Sequence, residues 1–273
     1  MPFASVLAPS PGRQYCPNVY PSPPAARAAT RTRTYSFGDA VLAGWADDGG
    51  MLWPTDIPRI SREELARLAT KSYPELCAHL LKLFVPPDDP DISHAELEQL
   101  VHGAFARFGS SEVVEVRPLP KELMYVAELW HGPTLAFKDL GMSVLGRILD
   151  HLLTRRRRRL TLLVGTSGDT GSSAIEAVRG LPSIEIVVLY PLQPFSAITA
   201  VQERQMTSVS EVEANVHVVG VEGGSDDLDV PMEACFRDTP FRERHQLGSV
   251  NSVNVVRLLV QSVHFFYACA WEH

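Results

Sequence analysis

Apolar and polar positions fall into two textures along the 273-residue chain. From Tyr35 to about residue 108 the apolar residues recur at helical spacing. Phe37, Ala40, Val41, Leu42 and Trp45 follow one period until Asp47-Asp48-Gly49-Gly50 breaks it with turn chemistry. Ser61 with Glu64 three residues later reads as a capping box opening a helix through Lys71, with Leu65, Leu68 and Ala69 as its apolar face. Tyr73 to Phe84 predicts a second helix closed by Pro86-Pro87. Ser93, Glu96, Leu97, Leu100 and Val101 open a third. Beyond residue 110, short apolar runs alternate with helical stretches: Val113 to Val116, Met124 to Trp130, a helix from Asp139 to Leu153, Leu160 to Val164, a helix from Ser172 to Arg179, and Ile184 to Tyr190. Val216 to Val221 again reads as a strand, followed by a helix around Val230 to Arg237. This alternation predicts α/β architecture, a parallel sheet with crossover helices. Val253 to Trp271 is a strongly apolar helix, of a kind normally covered by more protein.

The division this implies is a tail over 1–34, a mostly helical N-terminal domain over 35–108, and an α/β domain over 109–273. The tail holds seven prolines, four arginines and no acidic residue, a composition expected to be disordered. Its rival reading, an organelle transit segment leading to mitochondria, needs an amphipathic helix that Pro21, Pro23 and Pro24 would break. Hydrophobic residues make up 45% of the chain and charged residues 21%, as expected for a folded globular protein. The formal charge of -7 argues against a general nucleic-acid binder, whose contact surface must be basic. Cys16, Cys77, Cys235 and Cys269 are too scattered for a zinc site or a disulfide framework, so a reducing, cytoplasmic setting is expected. No run is long and apolar enough to span a bilayer, and no membrane partner is expected.

Three segments can carry chemistry. In Leu129 to Leu140 a strand ends in a Gly-Pro turn and Lys138 opens a helix. There its charge would meet the positive end of the helix dipole, and desolvation by Phe137 and Leu135 would favour the amine that forms a Schiff base. A surface lysine beside the favourable first-turn Asp139 is the bland alternative. The second segment is Leu160 to Val164 running into Gly165-Thr166-Ser167-Gly168-Asp169-Thr170-Gly171 and a helix. Its glycines and hydroxyls would present N–H groups to an anion. The spacing is neither a dinucleotide fingerprint nor a P-loop, and a simple capped turn competes with it. The third places Asn254, Arg257 and Gln261 on one face at the start of the last helix, as ligands for a phosphate or as an internal hydrogen-bond network. Arg155 to Arg159 reads as a solvated helix end.

Taken together, His131-Gly132-Pro133-Thr134 with Ala136-Phe137-Lys138-Asp139, Gly165 to Gly171, Val201-Gln202-Glu203-Arg204-Gln205-Met206, and Asn251-Ser252-Val253-Asn254 with Arg257 resemble the threonine synthases in content and order. The chain looks most like their animal threonine synthase-like 2 branch, with residues 46–54 resembling the family's N-terminal signature. The resemblance covers Tyr35 to Trp271. It implies a fold type II enzyme dependent on pyridoxal 5'-phosphate (PLP) and acting on a phosphorylated amino acid. By match, Lys138 would hold PLP and act as base at the substrate α-carbon, with Asp169 near the ring hydroxyl. Gly165, Thr166, Ser167, Gly168, Thr170 and Gly171 would bind the α-carboxylate, and Asn254 and Arg257 would contact the substrate, its phosphate included. The implied reaction is elimination of phosphate from O-phosphohomoserine or O-phosphothreonine to 2-oxobutyrate and ammonia. Two alternatives remain: rehydration to threonine, or an inactive chain that binds a partner through its last helix. Three departures accompany the resemblance. The family's opening strand is expected to be missing before Tyr35, Leu192 to Ala200 lacks the family's glycine turn, and no glycine-rich loop for the cofactor phosphate appears after residue 171. The chain is therefore expected to be truncated at its C-terminal end and the catalytic domain incomplete.

Overall fold

The computed structural model describes residues 2–6, 34–46, 50–119, 124–194 and 198–270. Strand β1 (Phe3–Val6) pairs antiparallel with β2 (Met51–Pro54), and helices α1 (Phe37–Ala43), α2 (Arg62–Leu68), α3 (Tyr73–Lys82) and α4 (His94–Phe105) complete the N-terminal part. The hairpin β3 (Glu115–Pro118) and β4 (Tyr125–Glu128) follows. After it come α5 (Lys138–Arg155), β5 (Leu160–Gly165), α6 (Asp169–Val178), β6 (Ile184–Pro191), α7 (Ala200–Ser210), β7 (Val216–Val221), α8 (Asp229–Arg237), α9 (Thr239–Arg244), β8 (Leu247–Gly248) and α10 (Val255–Ala270). The main sheet has the order β7-β6-β5-β8 and is parallel throughout.

The expected α/β class holds, with three corrections. The tail expected over 1–34 contains β1, because Phe3 is fully buried against the Phe37 ring at 6.1 Å and exchanges both backbone hydrogen bonds with Tyr35. An average over 34 residues hides one short apolar strand whose polar groups a partner satisfies. Residues 7–33 lie outside the described residues. The β3–β4 pair is an antiparallel hairpin, separate from the parallel sheet, since no helix long enough for a crossover separates its strands. The parts expected as two domains also share one continuous core: Phe3 and Leu76 belong to the same buried cluster as Ile148, Val188 and Val260. Helix α10 unites them by packing against both α3 and α5, which buries Val256, Val260 and Val263. Much of the apolar surface assigned to an outside partner is thus covered within the chain, although Phe265 stays exposed.

Local signals mostly act as read. The Ser93–Glu96 capping box of α4 forms in both directions, whereas Ser61 caps α2 and Glu64 turns to His79 at 3.4 Å. The arginine run is only partly a solvated helix end. Arg156 reaches Asp91 at 2.5 Å and Asp39 at 2.7 Å, and Arg155 reaches Glu96 at 3.0 Å, so two of the run's cations fasten the end of α5 to the N-terminal part.

Candidate active site

The carboxyl ends of parallel strands are where a doubly wound sheet opens a crevice, and β5 ends at such a place. A cleft of about 470 Å³ lies there, bordered by Lys138, Gly165, Thr166, Ser167, Thr170 and Arg257. Three segments distant in sequence therefore meet at one cavity, as the chemistry read from them requires.

Lys138 is the first residue of α5. Its Nζ lies 3.4 Å from Asp169 Oδ2 and 5.0 Å from the centre of the Phe137 ring, and its side chain is 22% exposed. Of the two residues expected to desolvate it, Phe137 borders the cleft beside the amine, whereas Leu135 is 70% exposed and does not border it. The segment is held from behind by Asp139, which is 1% exposed and accepts from Thr134 N–H at 2.8 Å and Thr134 Oγ1 at 2.6 Å. Thr134 Oγ1 in turn lies 3.0 Å from Ser173 Oγ on α6, linking the lysine segment to the glycine turn's own helix.

In that turn Gly168 has φ +144°, a conformation that L side chains rarely adopt. Buried Thr166 accepts from the N–H groups of Gly168 at 3.0 Å and Gly171 at 2.9 Å. Those two donors, expected to serve an anion, are thus spent internally, and neither Gly168 nor Gly171 borders the cleft. Gly165 is the last residue of β5. The first-turn N–H groups of Asp169 and Thr170 lack intrahelical acceptors and remain the donors at the mouth of α6. Asp169 is fixed by a residue that the sequence singled out only within a motif: Gln202 Nε2 donates to Asp169 Oδ1 at 2.8 Å, while its Oε1 accepts from Thr199 N–H and Oγ1. The Thr199-to-Gln202 spacing of a capping box was the available signal.

Asn254 does not reach the cleft. Its Nδ2 donates to Val41 O at 2.9 Å and its Oδ1 accepts from Val256 N–H, so it caps α10 and ties α10 to the chain near α1. Arg257 does border it. The residue is 3% exposed, its Nη1 donates to Asn251 O at 2.9 Å, and its Nε has no hydrogen-bond partner. Burial lowers the guanidinium pKa below its usual value. Asn251 Nδ2, also at the cleft, is buried and unpartnered. Asp229, missed in the sequence, also borders the cleft and has its carboxyl pKa raised by burial first and then by Asp226 and Glu233.

A buried guanidinium with an unpaired donor costs stability that an incoming anion, or its replacement by an apolar side chain, recovers. Arg257→Met is therefore expected to leave the melting temperature unchanged or raise it by a few degrees. The same variant should lose the rise in melting temperature that inorganic phosphate gives the wild-type protein. Thermal unfolding with and without phosphate checks both halves, and an equal phosphate response in the two proteins would remove Arg257 from anion binding.

The chain is similar to known proteins over most of its length. A family profile described as "Threonine synthase N terminus" matches residues 26–105. "Threonine synthase-like 2" of Xenopus laevis is 45% identical over 231 residues, 85% of this chain and 47% of that protein. "Threonine synthase" of Pseudomonas aeruginosa is 37% identical over 233 residues, 85% of this chain and 48% of that protein. The crystal structure of PLP-bound threonine synthase from Brucella melitensis superposes with a TM-score of 0.80 at 37% identity, covering 88% of this chain and 50% of that one. The chain spans about half the length of the curated relatives it matches.

Proposed function

Because the chain belongs to the threonine synthase family over the residues that align, we propose that its cleft is the amino-acid side of a PLP-dependent phospho-lyase site. The reaction is O-phosphohomoserine or O-phosphothreonine plus water going to 2-oxobutyrate, ammonia and phosphate. One observation carries the reading: the Lys138 amine, the mouth of α6 and the buried, partly unpaired guanidinium of Arg257 border the same cleft.

The donor set fits the cofactor's aldehyde and the two acidic groups of the substrate. A primary amine at Lys138 matches the cofactor's aldehyde, helix N–H groups match an α-carboxylate, and a guanidinium matches a phosphate ester. When bound, PLP supplies the electron sink that makes the substrate's α-proton acidic. The protein supplies placement. Lys138 would hold the cofactor through Nζ, and its amine is the base placed to take the proton from the substrate α-carbon. Asp169 keeps the amine in place at 3.4 Å, and Gln202 keeps Asp169 in place at 2.8 Å. Ser167, Asp169 and Thr170 offer N–H groups to the substrate's carboxylate, where the α6 dipole adds to the attraction. Arg257 takes the substrate phosphate and stays paired with it as the carbon–oxygen bond breaks.

Reduction of the protein with borohydride in the presence of PLP, followed by peptide mapping, is expected to place one pyridoxyl group on Lys138. No covalent label, or a label spread evenly over the surface lysines, would overturn the assignment.

A further inference from the structure

The β3–β4 hairpin carries a second donor set, none of it bordering the cleft. Glu115 on β3 and Glu128 on β4 are direct cross-strand partners. Like charges placed opposite one another in an antiparallel pair are destabilising, so this register favours cationic partners. His131, just after β4, turns back over the pair. Its Nε2 lies 2.9 Å from Glu128 Oε2 and 3.9 Å from Glu115 Oε1, and the three donor atoms all lie within 4.8 Å of one another. Arg117 pairs with Glu115 Oε2, and the Ser110 side chain hydrogen-bonds the same carboxylate. The backbone of His131 is fixed by its carbonyl, which accepts from Gly109 N–H at 2.8 Å, and the Trp130 ring stands beside its imidazole at 5.9 Å.

We propose that Glu115, Glu128 and His131 bind a divalent transition-metal cation of the zinc class. Around a tetrahedral ion with bonds of about 2.0–2.1 Å, neighbouring donors stand roughly 3.4 Å apart. The observed separations of 2.9 and 3.9 Å lie half an ångström to either side of that, within reach of side-chain adjustment. Two carboxylates and a neutral imidazole around a dication make an uncharged centre. One nitrogen and two oxygens also suit zinc better than magnesium or calcium, which seek six or more oxygens. The three side chains are 19–21% exposed, which lets a water take the fourth position. Such an ion would clamp the hairpin to the turn that leads into Lys138. It is a site separate from the proposed lyase cleft and does not depend on that reading.

The test uses the purified chain stripped with a chelator and titrated calorimetrically with zinc chloride, without PLP. One zinc per chain is expected, with Kd below about 100 μM. Glu128→Gln and His131→Gln should each weaken binding by at least about 30-fold. Glu115→Gln, which keeps the shape of an exterior side chain, should do the same if the histidine variant proves unstable. Cobalt(II) should give visible tetrahedral bands with the wild-type protein alone. Failure to bind zinc below about 100 μM would overturn the site. Unchanged binding in Glu128→Gln and Glu115→Gln would do so as well, since it would place the metal elsewhere on the chain.

Discussion

Replacing Lys138 with alanine is expected to lower phosphate release from O-phosphothreonine, measured with PLP present, by at least about three orders of magnitude. The expectation follows from asking one nitrogen to do two tasks, holding the cofactor and moving the α-proton, neither of which a methyl group performs. The fold should be indifferent to the change. The ion-pair partner of Lys138 is Asp169, whose side chain is about half exposed, and such a pair contributes less than about 1 kcal/mol. Melting temperatures of the two proteins should therefore agree within roughly 2–4 °C. A small primary amine added to Lys138→Ala should restore part of the release, a recovery that a purely structural role would not show. Release at the wild-type rate by Lys138→Ala would take the amine out of the mechanism.

The second large effect falls on stability. Asp139→Ala is expected to destabilise the protein by about 2–4 kcal/mol, lowering its melting temperature by roughly 5–15 °C. Both Asp139 oxygens accept from Thr134, one from its backbone N–H and one from its hydroxyl, in a place that water does not reach. Alanine leaves that N–H buried without an acceptor. Asp139→Asn keeps the shape but turns one acceptor into a donor facing a donor, so it should fall between wild type and alanine. The same loss frees the segment that presents Lys138, and pyridoxyl labelling by Asp139→Ala should drop below that of wild type even well under its melting temperature. A melting temperature within about 2 °C of wild type would show that the Thr134–Asp139 bonds are not what holds this segment.

The parts of the site legible in the sequence are those whose chemistry is local. Lys138 at a helix start and the glycine turn after an apolar strand each announce themselves within a dozen residues, because turn glycines and helix caps act over that range. Asn254 and Arg257 sit three apart at the start of the same helix, and sequence spacing treats them alike. The structure separates them: one bonds to Val41, more than two hundred residues earlier, and the other faces the cleft. Gln202 and Asp229 join the site only because α7 packs against α6 and α8 against β5, which no local pattern encodes. The Thr166 hydroxyl withdraws two expected donors for the same reason, since a turn's sequence shows its donors but not which of them the turn consumes.

Although α7, α9 and β8 went unread, the order of residues on its own determined most of the helices, the strands β5, β6 and β7, and the family. Each of these is set by periodicity or by short motifs whose physics closes within a few residues. Tertiary structure alone decided that β1 belongs to the fold, that the two expected domains share a core, that β3 and β4 pair antiparallel, and that Glu115, Glu128 and His131 converge. Those outcomes depend on hydrogen bonds and burial between segments far apart in the chain, where the free energy of a contact belongs to the partner as much as to the residue.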